Sequence, residues 1–177
     1  MANFLAYTLL GALFVVLQGT LLAFNSVGGI RIDLLLVMVT YVALYHSLLS
    51  GSLLVMLLGY FYDLNSASPY ALHILTFLSC FIFLYLTKNR LYIQGPAFCI
   101  GLVAFVVFFH DIAQMIFLSS RGVSVVPRFV EVIMFIPKAL LTGVCWPILS
   151  PIFHAVDEWF PPSSGGMSKR SVLEFKM

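Results

Sequence analysis

Long apolar runs separated by short polar breaks organise this chain. Six runs can be drawn: Phe4 to Phe24, about Leu34 to Tyr45, about Leu48 to Tyr62, Tyr70 to Thr87, Pro96 to Leu118, and about Phe129 to His154. A helix needs about 20 apolar residues to cross a bilayer. The breaks carry turn chemistry, as in "NSVGG" at Asn25–Gly29 and "KNRLYIQG" at Lys88–Gly95. The middle has two readings: Leu34 to Tyr62 is one long tilted helix, or a tight hairpin of two short ones. The polar cluster His46, Ser47, Ser50 and Gly51 at its centre favours the hairpin. Short segments are tolerated inside a bundle, where backbone groups find partners away from lipid. The expectation is an all-α integral membrane protein, a polytopic bundle of six transmembrane helices (five in the alternative reading) over residues 1–160. A flexible, polar cytoplasmic tail follows at 161–177.

Composition agrees with the pattern. Of 177 residues, 62% are hydrophobic and 9% are charged, where a soluble domain carries about a quarter charged. No basic run suggests nucleic acid. Cys80, Cys99 and Cys145 lie in separate apolar segments without C-x-x-C spacing, so they read as small buried hydrophobes. The first run has no Lys or Arg before it and no small-residue cleavage site after it, so it reads as a retained helix.

Lys and Arg in short connections set orientation. With six spans, Lys88, Arg90, Lys169, Arg170 and Lys176 share one side with both termini, and Arg31, Arg121 and Arg128 lie on the other. The bias puts both termini in the cytoplasm. Helix-packing signals are also present. Ser47, Gly51 and Gly59 form an i, i+4 ridge that lets another helix approach, within the bundle or from a partner. Gln18, inside the first run, is expected to hydrogen-bond to a neighbouring helix. Pro137, Pro147 and Pro151 should bend or break the last run.

A charge inside a bilayer costs at least about 2.5 kcal/mol on insertion scales, so each one calls for a partner. Asp111 lies eight residues before Ser119, and Lys138 ten after Arg128. At about 1.5 Å per residue, an antiparallel pair of helices brings the two to similar depth. An Asp111–Lys138 ion pair is therefore expected, with His110 or Glu131 as further partners. The alternative is that Lys138 snorkels outward while Asp111 meets a watery cavity.

The break "DLNSASP", Asp63 to Pro69, reads first as a capped turn. Ser68 is placed as N-cap with Pro69 at the first helical position, and Asp63 turns toward the free N–H groups of the following helix. Asp63 and His73, with Asp33 and Arg31, could also form an outward polar patch for a partner. A catalytic Asp–His pair is the third option, but it lacks an evident nucleophile and no G-x-S-x-G appears. There is no G-x-G-x-x-G, P-loop or H-E-x-x-H, and no metal or cofactor is expected. His46 and His154 read as interfacial.

The stretch "GIRIDLLLVMVTYVALYHSLLSGSLLVMLLGYFYDLNSASPYALHIL" resembles the centre of the rod shape-determining protein MreD family. Asp33, Asp63, Ser66 and Leu72 fit its pattern, as do Gln18, Asp111 and "TGVCWP" at Thr142–Pro147. Ile32 stands where the family usually has Pro, and Thr142 where Asn is common. The resemblance implies a six-helix fold like that of S components of energy-coupling-factor transporters. It also implies a non-enzymatic scaffold in the bacterial inner membrane that binds MreC directly. Around it, MreB, RodZ, RodA and its transpeptidase partner direct lateral peptidoglycan synthesis. A homodimer is left open. The competing reading is an S component that binds a small molecule for transport. Its A-x-x-x-A docking ridge has a single match on the first helix, Ala2 to Ala6.

Overall fold

The computed structural model describes residues 2–24, 32–66, 71–88, 95–120 and 129–160; side chains at 21–24, 96 and 129–134 are not described. The turn 25–29, Arg31, the Ser68–Pro69 cap, Arg90, Arg121, Arg128, the Glu131 side chain and the tail 161–177 lie outside the described residues. Among those described there are seven helices: α1 (Ala2–Phe24), α2 (Leu34–Tyr45), α3 (Leu48–Ser66), α4 (Leu72–Thr87), α5 (Gly95–Ser120), α6 (Phe129–Val144) and α7 (Trp146–Trp159).

Three are long and apolar enough to cross a membrane: Ala2–Thr20, Leu48–Ser66 and Ala97–Ser120. The α6–α7 pair would make a fourth if it acts as one bent span. The bend is 46°, at Cys145, one residue before α7 opens with Trp146 and Pro147. Proline at the start of a helix loses nothing, because that N–H has no intrahelical partner. A proline in mid-helix removes an i→i−4 bond. The last run therefore divides into two helices just ahead of Pro147, while Pro137 and Pro151 stay inside α6 and α7. Cys145 at this break is half-buried, unlike the buried Cys80 and Cys99.

The hairpin reading of the middle holds, with unequal arms. α2 has 12 residues and α3 has 19. At 1.5 Å per residue, α2 is about 18 Å long, short of a hydrocarbon core of about 30 Å. It spans nothing on the surface because it is the axis of the bundle. Leu35 through Leu44 are all buried, and α2 touches each of the other six helices. A helix apolar all round belongs in such a place. Its backbone is satisfied from within, and Thr40, also buried, donates its hydroxyl to Leu36 O at 2.8 Å.

Small residues set the closest approaches. A Cβ on Gly59 would stand 2.7 Å from Ile74 Cα, and one on Gly143 would stand 2.7 Å from Ile100 O. Each is a backbone contact with no room to yield, so α3 meets α4, and α6 meets α5, with only glycine between. Gly51 faces Phe81 of α4 and Val42 of α2. The ridge through Gly51 and Gly59 is thus spent inside the bundle and is not open to a partner. Ser47, one turn earlier, shares a hydroxyl contact of 2.8 Å with Ser50. Gly11, which packs on Leu58, and Gly19, which faces Asn65, do the same for α1 against α3.

Candidate functional site

Two polar clusters occupy the bundle, one at each end of α2. The first gathers residues far apart in sequence. Lys138, on α6, places Nζ 2.8 Å from Asp111 Oδ1 and 3.2 Å from Oδ2 on α5. The same ammonium lies 2.7 Å from Asp33 Oδ2, at the mouth of α2. Both carboxylates are well shielded, Asp111 at 5% and Asp33 at 15% side-chain exposure. Lys138 is therefore a bridge rather than a snorkelling lysine. Its second partner is Asp33, a residue the sequence pattern assigned to the outward patch.

The geometry of α1 explains why. Gln18 Nε2 donates to Ile32 O at 3.0 Å. Gln18 lies six residues before the end of α1 at Phe24, about 9 Å along the axis. Ile32 thus lies level with the interior of α1, and Asp33 starts α2 at depth. Its backbone N–H donates to Thr142 Oγ1 at 3.3 Å, and its carbonyl accepts from Leu36 N and Val37 N. The partner of Gln18 is therefore the chain segment leading into α2.

His110 completes this end. Its Nδ1 lies 3.3 Å from Asp111 Oδ1, and its Nε2 lies 3.3 Å from Gln114 Nε2. The amide nitrogen of Gln114 only donates, so Nε2 accepts and Nδ1–H donates to the carboxylate. Ligand atoms of Asp33, His110 and Asp111 lie within 4.8 Å of one another, a spacing that suits a cation. The Lys138 ammonium already stands between the two carboxylates.

Asp63 sits beside this cluster. It lies in the last turn of α3, which runs on to Ser66. Its Oδ1 accepts from His73 N at 3.1 Å and its Oδ2 from Ile74 N at 3.3 Å. These are free N–H groups of the first turn of α4, which begins at Leu72. The residue at the N-cap position is Ala71, with φ 53° and no side-chain cap bond. A carboxylate from the preceding helix caps these N–H groups, favoured by the N-terminal dipole. Oδ1 also lies 2.7 Å from His73 Nδ1. The His73 and His110 rings are 6.5 Å apart, which links the two groups across α4 and α5. A depression of about 180 Å³ lined by Tyr60, Leu64, Ala71 and Ile74 reaches Asp63.

The four residues read as one outward patch are thus divided. Asp63 and His73 are paired and largely buried, Asp33 belongs to Lys138, and Arg31 is outside the described residues.

The second cluster was not expected. At the far end of α2, Tyr41 donates its hydroxyl to Asp157 Oδ2 at 2.7 Å. That proton is committed, so the 3.1 Å contact between Tyr41 and His154 Nδ1 is a donation from the imidazole. Asn3 Nδ2 donates to Asp157 Oδ1 at 3.0 Å and to Phe160 O, and Tyr7 donates to Phe153 O at 3.1 Å. His46, in the α2–α3 connection, is 4% exposed. It packs edge-on against Tyr7 and lies 3.7 Å from Asp157 Oδ1. His46 is therefore buried rather than interfacial, and burial lowers its pKa below the ordinary imidazole value despite the pull of Asp157. The cluster ties α1, α2 and α7 together. Its sequence signal, polar residues near both ends of the first 160, gave no register for bringing them into contact.

Comparison of the chain with family models, with curated proteins and with solved structures found no match.

Proposed function

We propose that this protein is a non-enzymatic membrane scaffold of the MreD kind, held in the bacterial inner membrane with both termini cytoplasmic, and that it binds MreC in the cell-elongation complex. One observation carries the reading. Asp33 and Asp111, two residues on which the sequence resemblance rests, both bind Lys138 although 78 positions separate them, and a third, Gln18, bonds the carbonyl of Ile32 next to Asp33. Residues that share a pattern because they share one structural task should converge in this way. The task visible here is a tie between α2, α5 and α6. Asp63, a fourth residue of the pattern, ties α3 to α4. Charges spent on interhelical ties suit a rigid platform against which a partner's helix can lie.

The test is co-purification. The full chain, tagged and co-expressed with the single-span coiled-coil protein MreC, should be recovered as a stable complex. Opening the Lys138 cluster should reduce that recovery. Recovery of the chain without MreC would reject the scaffold, and a tightly retained water-soluble small molecule, as distinct from a bilayer lipid, would favour transport.

A further inference from the structure

We propose that the seam between α4 and α5, at the Lys88 end of the bundle, holds one acyl chain of an anionic phospholipid, with Lys88 beside the headgroup. The seam contains a groove of about 390 Å³ lined by Phe83, Leu84, Thr87, Phe98, Gly101, Leu102 and Phe105. Six of these seven offer only hydrocarbon. The exception, Thr87, has spent its hydroxyl on Phe83 O at 2.8 Å and Leu84 O at 3.2 Å. No polar group in the groove asks for a polar guest, so the guest is a hydrocarbon.

The groove is built rather than collapsed. Phe83 is stacked on Phe109 at 5.1 Å and tilted against Phe105 at 6.1 Å, which closes the seam at the α5 end nearer Asp111. Below that, a Cβ on Gly101 would meet nothing within 4 Å. The glycines at the other helix contacts show the opposite, with a neighbour already pressed against them. Gly101 is exposed, so this space is a trough on the outer surface of the bundle, where a bilayer presents hydrocarbon. Between Phe98 and Phe105 it runs about 10 Å along α5.

Charge selects which lipid. Lys88 follows directly on the last residue of α4, beside Thr87 at the groove's edge. Its Nζ reaches the carbonyls of Ala43 and His46 at 3.4 Å each and lies 3.8 Å from the Tyr85 ring. Those contacts are neutral, and no carboxylate among the described residues pairs with it. Arg90 follows two positions later in the sequence. An ammonium without a counter-ion at the border of an apolar surface attracts an anionic headgroup. A bilayer lipid supplies chain and phosphate in one molecule.

The experiment uses the full chain in nanodiscs of equal phosphatidylglycerol and phosphatidylethanolamine with identical acyl chains. Native mass spectrometry after release counts the lipids retained. Wild type should keep one phosphatidylglycerol, favoured about fivefold, the selectivity of one lysine at an anionic surface. Lys88→Gln should keep a lipid but lose the headgroup preference. Gly101→Leu fills open space, so it should leave the melting temperature unchanged and cut retention at least about fivefold. Leu102→Trp, which fills the groove from another position, guards against a folding defect in the first variant. Equal retention of the two lipids by wild type overturns the proposal. So does unchanged retention in both groove-filling variants, or a retained polypeptide in place of a lipid.

Discussion

Replacing Lys138 by Met keeps the volume of the side chain and removes its charge, leaving Asp33 and Asp111 facing each other. At an effective dielectric constant of 20, the ammonium's attraction to each carboxylate, at 2.7 and 2.8 Å, is about 6 kcal/mol before desolvation. Most of that is offset by the loss of water around three ions. The repulsion of two carboxylates within 4.8 Å is about 3 kcal/mol on the same scale. Removing one partner of a buried pair costs about 3–5 kcal/mol, and the two routes agree. For a chain of this size that corresponds to a fall in melting temperature of roughly 6–20 °C. In a Cys145→Ser background, which removes the half-buried thiol, Cys80 and Cys99, each 1% exposed, supply the assay. A thiol-reactive fluorescent dye stays dark until the bundle opens, so thermal unfolding reads out directly in detergent or nanodiscs. The companion variant Asp33→Asn/Asp111→Asn/Lys138→Met removes all three charges and should return to within about 2 kcal/mol of wild type. The reasoning fails if Lys138→Met melts within about 3 °C of wild type, or if the triple variant is less stable than the single one.

Other perturbations follow from the same contacts. Asp63→Ala removes the cap on His73 N and Ile74 N together with the His73 ring contact, and should cost about 2–4 kcal/mol. Hydrogen exchange at those two amides should rise before global unfolding does. Gly59→Ala forces a methyl against the backbone of Ile74 and should cost about 1–3 kcal/mol, while Gly101→Ala stays within about 0.5 kcal/mol; equal melting temperatures would refute the packing assignment. Tyr41→Phe leaves Asp157 short of a donor and should lose about 1.5–3 kcal/mol in the same dye assay. His46 has a folded pKa held below its ordinary value of 6.5 by burial. Its contribution to stability is therefore complete above about pH 6.5 and is lost as pH falls through the folded value. His46→Phe should flatten that acid limb of a melting-temperature profile, and an unchanged limb would point to another group.

The run lengths and breaks in the sequence were enough to set the helical class, the α2–α3 hairpin and the fracture of the last run near Pro147. They also set the approach of Asp111 to Lys138, because helical rise fixes depth along an antiparallel pair whatever the packing around it. The turn of Asp63 toward the next helix was legible for a similar reason: a carboxylate so close in sequence to free N–H groups has few other places to go. Only the tertiary structure decided that Asp33 joins Lys138, since that required α2 to start deep in the bundle beside Gln18. Only it brought Asn3, Tyr41 and Asp157 into contact, and only it spent Gly51 and Gly59 on α4. The physical reason is shared by all three. In water, an apolar stripe reveals which face of a helix is buried. In a bilayer, the surrounding lipid is as apolar as the core, so the sequence records depth far better than it records direction.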